Sequence, residues 1–168
     1  MMRRRFRVIR SPVIALAAGA LLVCLSALTA RAGEINGRVV SVVAGDALTI
    51  QFPSGLRVAV RLADIAAPKR GQPYGTRSRR SLAELCAGKP AVVENQAAKP
   101  DGNLAARVTC AGINANGEQV RRGMAWVDRR YANPTSGLFR LEADAREHRR
   151  GLWRHRHPVA PWIWQPRR

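Results

Sequence analysis

Asp46, Arg57, Arg61, Asp64, Lys69 and Arg70 are the residues of this sequence whose types and spacing can do chemistry. Four of them fall in RLADIAAPKRGQPYG, residues 61–75, which reads as a strand ending in a turn and has the rhythm of a catalytic loop. That stretch holds a single acidic residue, Asp64. A hard divalent cation wants several oxygen ligands, carboxylates among them. An attacking water needs a base within hydrogen-bond reach. Fixed cations can meet a phosphate backbone without either. Arg57, Arg61, Lys69 and Arg70 therefore point to anion binding rather than to hydrolysis. The plainer role of Asp46 is a turn residue capping its own backbone, and that of Asp64 a solvated strand end. Tyr74 and Tyr131 are candidate stacking platforms for bases, or else structural aromatics. Trp126, Trp153, Trp162 and Trp164 read as packing for the C-terminal helices. His155 and His157, in RHRHP, lack a neighbouring cysteine or carboxylate cluster and read as a solvated basic tail.

The elements that must position these residues follow from periodicity. INGRVVSVVAG and DALTIQF are β-branched runs joined at Ala44-Gly45-Asp46. Pro53-Ser54-Gly55 makes the next turn, and LRVAVRLADI alternates, with Leu56, Val58, Val60 and Leu62 inward and Arg57 and Arg61 on the opposite face. From Tyr74 the period changes: Leu82, Leu85 and Cys86 fall at helical spacing before Gly88. PAVVENQ and LAARVTCAG are the fourth and fifth strands, and NGEQVRRGMAWV is a short helix closed at Gly123. A longer helix places Leu138, Leu141, Ala145 and His148 on one stripe and stops at Gly151. Five strands, a helix between the third and fourth, and helices after the fifth define an α+β class, a small Greek-key β-barrel with appended helices.

The 168 residues include 29 Lys and Arg against 11 Asp and Glu, a net charge of +18. Residues 1–32 read as an export signal. Arg3, Arg4, Arg5, Arg7 and Arg10 precede an apolar run, and Ala30-Arg31-Ala32 supplies a cleavage signature. The alternative is an inner-membrane anchor through residues 13–30. Six basic residues lie in this leader, leaving 23 against all 11 acids in residues 33–168, a net of +12. An exported domain so charged, periplasmic or secreted, attracts polyanions: nucleic acid, anionic lipid or acidic glycan. Cys86 and Cys110 survive signal removal and are expected to form one disulfide outside the cytoplasm, closing a loop worth about 3 kcal/mol. Two buried free thiols are the alternative.

Several motifs together resemble the staphylococcal nuclease (thermonuclease) family over about residues 35–165. VVAGDALTI sits where the family has Val-x-Asp-Gly-Asp-Thr-x-x-Ile. VRLADIAAPKRGQPYG sits at Val-Arg-Leu-x-x-Ile-Asp-Ala-Pro-Glu, and DGNLAARVTC at Asp-Arg-Tyr-Gly-Arg. NGEQVRRGMAWV and PWIW are similar to its C-terminal half. The resemblance implies a five-stranded OB-fold barrel over residues 33–168. It also implies a Ca²⁺-dependent hydrolysis of DNA and RNA phosphodiesters, in which aspartates hold the metal, a glutamate activates water and two arginines meet the phosphorane charge. Matched position by position, Asp46 keeps a metal-ligand place and Arg61 the first arginine. Ala44, Ala66, Lys69 and Asn103 stand where the family has aspartate, aspartate, glutamate and the second arginine, and Ala47 replaces the threonine. The matched site keeps a net charge of about +1, with Arg70 beside it. Each like-charge contact near 4 Å costs a cation on the order of 4 kcal/mol at an effective dielectric of about 20. A lost base removes roughly 10²–10⁴-fold in rate.

The leading expectation is thus a thermonuclease-like domain that binds nucleic acid or another polyanion through Arg57, Arg61, Lys69, Arg70 and Tyr74, with phosphodiesterase activity impaired and no cofactor. The second is a Ca²⁺-dependent nuclease with displaced ligands, Asp64, Glu118 or Glu142 supplying the missing carboxylates. The third is a periplasmic protein-interaction module built on the same scaffold.

Overall fold

The computed structural model describes residues 34–98 and 104–166. The expected signal or anchor in residues 1–32, and Asn103, lie outside the described residues. β1 (Ile35–Ala44), β2 (Ala47–Gln51) and β3 (Arg57–Leu62) form an antiparallel meander. The chain then makes the two-residue β4 (Ile65–Ala66) and enters α1 (Gly75–Cys86). β5 (Pro90–Ala98) pairs antiparallel with β1 and with β6 (Leu104–Cys110). Parallel pairing of β3 with β6, Val60 to Leu104 and Leu62 to Ala106, closes the sheet into a five-stranded mixed barrel. β7 (Ile113–Asn114) extends it, and α2 (Ala115–Arg121), β8 (Trp126–Val127), α3 (Leu138–Glu147) and a 3-10 turn (Gly151–Arg154) follow. This is the expected barrel with appended helices.

Closure follows from the alternation. Val39, Leu48, Ile50, Val60, Leu62, Val93 and Val108 point into the barrel and are fully buried. Register shifts in β1, between Val39 and Ser41 and between Val42 and Ala44, give the strand the coil that a small barrel demands. Leu82, Leu85 and Cys86 of α1 join the same core with Val120 of α2. Cys86 and Cys110 are bonded, their Cα atoms 5.2 Å apart, so the end of α1 is tied to the end of β6.

Three expectations are corrected. Leu56 does not point inward: it is 61% exposed, because the turn runs one residue further than its Pro-Ser-Gly signature and β3 starts at Arg57. Gly55, at φ 84°, and the bond from Phe52 N–H to Leu56 O shape that turn. His148 leaves the stripe of α3. It caps the helix in the open, and the buried members of that helix are Glu142 and Ala145. Asp64 is not a strand end. It occupies a turn at φ 65°, which breaks the alternation between β3 and β4.

Two polar side chains that a sequence would assign to solvent hold the elements together. Asn116 is buried. It accepts from Val108 N–H at 3.0 Å and donates to Ala63 O at 2.9 Å, beside the barrel seam. Gln119, wholly buried, donates to Gly45 O at 2.6 Å and to Ser78 O at 3.1 Å, and accepts from Ser81 at 2.7 Å.

Candidate functional site

A cavity of about 600 Å³ opens where the β1–β2 turn, β3, β4 and the loop to α1 meet. At its base Asp46 is held from every side. Leu62 N–H donates to its backbone carbonyl at 2.8 Å. Its Oδ2 accepts from Arg61 at 3.2 Å and from Ala67 N–H at 3.3 Å. The register that pairs Ala47 with Arg61 brings the guanidinium to the turn. Gly45 permits the close approach of α1: a Cβ there would lie 1.7 Å from Ser78 Oγ and 2.9 Å from Ala67 Cβ. Gln119 grips the same glycine's carbonyl, so α1 and α2 jointly fix the height of Asp46.

Asp46 is 5% exposed. Burial raises its pKa above the ordinary carboxylate value, and Arg61 opposes that rise. Ala44 and Ala66 form apolar walls, and Lys69 and Arg70 stand exposed on the rim. The rim loop is fastened: Lys69 N–H donates to Gln72 Oε1 at 2.9 Å, and Gln72 Nε2 donates to Val159 O at 2.6 Å.

The structure brings Asp46, Arg61, Asp64, Ala44, Ala66, Lys69 and Arg70 to one cavity. It separates others. Arg57 sits at the start of β3, opposite Gln51, and takes no part in the cavity walls. Tyr74 lies at φ 70° before α1, packs on the Trp126–Leu152–Ala160 cluster, and meets the His155 ring edge-on at 5.4 Å. It belongs to a neighbouring cleft with His155 and His157. Neither displaced carboxylate from the helices reaches the cavity. Glu118 is clasped by Arg121 at 2.6 Å and Arg122 at 2.7 Å. Glu142 accepts from Val127 N–H at 3.0 Å and from Arg146 at 3.1 Å.

Sequence reasoning missed part of the wall. Asp128 and Arg130 line the cavity, as do Pro161 and Trp162 beside the expected Tyr131. Arg130 donates twice to Asp128, at 2.9 and 2.7 Å. Its guanidinium lies 5.4 Å from the ring centres of both Tyr131 and Trp162. Trp126 and Trp153 do pack, edge to face at 5.8 Å. Trp162 instead is 42% exposed at the cavity mouth. The only signal for it was PWIW, which reads as packing until the tail is seen to fold back.

Calcium needs a donor set that this cavity does not assemble. Among the described residues no three of His, Cys, Asp or Glu converge as metal ligands. Asp46 is already paired with Arg61, Asp128 with Arg130, and two of the matched places are methyl groups. A cation that takes six to eight oxygens does not fit these residues. The cavity lining sets Arg61, Lys69, Arg70 and Arg130 against Asp46, Asp64 and Asp128, four positive charges to three negative.

A five-stranded barrel closed by β3–β6, with this cavity at the foot of the β1–β2 turn, defines an OB-fold domain of the staphylococcal nuclease type. Residues 59–155 match the family described as "Staphylococcal nuclease homologue", and the chain belongs to that family. It is 38% identical over 136 residues to an "Uncharacterized endonuclease" of Escherichia coli O157:H7, covering 80% of this chain and 88% of that protein. A "Micrococcal nuclease" of Shigella flexneri is 32% identical over 166 residues, 93% of this chain and 95% of its own length. "Protein ParB" of Escherichia coli is 35% identical over 178 residues, 98% and 94% of the two chains.

Proposed function

We propose that this nuclease-family domain holds the phosphate backbone of nucleic acid and has lost most of its power to cut it. One observation carries the reading: Arg61, Lys69 and Arg70 surround a cavity whose two buried carboxylates are each tied to an arginine, Asp46 to Arg61 and Asp128 to Arg130. The cations suit phosphate. Ala44, Ala66 and Lys69 occupy the places where the family's acids would recruit a metal and activate water. Loss of the base alone removes roughly 10²–10⁴-fold in rate. The domain acts outside the cytoplasm on this reading, where the Cys86–Cys110 bond forms and persists. The net +12 of residues 33–168 supports the same choice of partner.

The test has two arms. Filter binding of single-stranded DNA and RNA across a salt series is expected to give affinity that falls steeply with salt, and salt-insensitive binding sinks the anion reading. Digestion of the same substrates with Ca²⁺ is expected to be slow. Efficient cutting that Asp46→Asn abolishes would establish instead a working nuclease with displaced ligands, the reading favoured by the names of the relatives.

A further inference from the structure

We propose that Trp162 is a base-stacking platform, which adds recognition of unpaired bases to the phosphate binding of the Asp46–Arg61 cavity. The inference rests on the anion-binding reading above and deepens it. Its substrate class is single-stranded nucleic acid.

Trp162 is carried by residues 158–166, beyond the stretch that matches the family. Those residues are fastened rather than trailing. Gln72 of the rim loop bonds Val159 O, Ala160 O accepts from Ile163 N–H and Trp164 N–H at 3.1 Å, and Ala160 and Pro161 are buried. The segment thus delivers one large ring to the mouth of a cavity that also contains Arg61 and Lys69.

Exposure of a single aromatic says little by itself. The bracing of this one says more. Arg130 lies against the Trp162 ring, and its own position is set by two hydrogen bonds to Asp128, a buried carboxylate. Asp128 is anchored in turn, its backbone N–H donating to Asp64 O at 2.9 Å. A planar cation held by a buried acid fixes the tilt of the ring. Arg130 is a positioning residue here, because its charge is largely met by Asp128. Phosphate on Lys69 and Arg70 leaves the attached base within the same cavity as the ring. Every base offers a π-face, so stacking adds affinity with little sequence preference. In a duplex those faces are already stacked on one another, and heparin-like or lipid polyanions have none.

The experiment compares an oligothymidylate with an abasic oligodeoxynucleotide of equal length, binding the full chain at fixed salt. Stacking contributes about 1–3 kcal/mol per base, so wild type is expected to favour the thymidylate by about 5- to 150-fold. Trp162→Ala should erase that preference, leaving abasic affinity and the salt slope unchanged, and Trp162→Phe should keep most of it. Equal wild-type affinity for the two oligomers overturns the proposal while sparing the anion reading. So does a Trp162→Ala loss shared equally by both, or a Trp162→Phe variant that behaves like alanine. Binding of neither oligomer sinks the anion reading and the proposal together. Should Trp162→Ala fail to fold, the wild-type comparison and Trp162→Phe still decide.

Discussion

Two opposed effects meet on the carboxyl of Asp46: burial disfavours its charge, and Arg61 favours it, with burial the larger. A carboxylate whose pKa is raised by folding stabilises the native state below the unfolded pKa, and that benefit is lost as pH rises through the folded value. At neutral pH Asp46 is therefore held at a cost. Asp46→Asn is expected to melt higher than wild type at pH 7 in a thermal scan, the advantage fading near pH 3. A lower melting temperature at pH 7 would show that the Arg61 pair outweighs desolvation. On the rim, Lys69→Ala and Arg70→Ala should each weaken nucleic-acid binding and reduce the slope of log affinity against log salt by about 1. Arg57→Ala, at the start of β3 and outside the cavity walls, should change neither by as much.

Elements, not single contacts, set the height of the site. The turn after β1 is wedged between α1 and α2, and Gly45 leaves no room for a methyl group. Gly45→Ala should lower stability by about 1–3 kcal/mol, read as a shift in the urea midpoint, because Ser78 is itself committed to Met124 O at 2.7 Å and cannot yield. On α2, Arg121 and Arg122 hold the Glu118 carboxyl down to about 2. Its contribution is present above the ordinary value near 4.5 and disappears as pH falls towards 2. Glu118→Gln should accordingly flatten the acid side of the stability profile. The barrel strands and α1 were legible in the sequence because each buries one face at a fixed period. Asp46 and Arg61 were legible through their match to the family's turn and strand motifs, and the β2–β3 register sets them side by side. Gln119 and Asn116 were not: buried amides look like surface residues until the carbonyls they serve are in place. The pairing of β4 with β8 was hidden for a different reason, since two residues carry no period. Trp162 was misjudged because its exposure depends on how residues 158–166 fold back.

At the scale of the molecule, one covalent bond and one strand pairing hold the barrel shut. The double variant Cys86→Ala/Cys110→Ala should lose about 3 kcal/mol, measured by denaturant titration, through the freed loop of the unfolded chain. The seam between β3 and β6 has another consequence, in time rather than in energy. Arg61 stands opposite Ala105, on the parallel pairing that closes the barrel. Contacts of that kind form late, after nearby strands have met. A growing chain that has emerged only as far as α1 would own Arg61, Lys69 and Arg70 and yet lack Arg130 and the geometry of the cavity. In stopped-flow refolding, capture of a labelled oligonucleotide should therefore lag behind the rise of β-sheet signal, making ligand uptake a clock for completion of the domain.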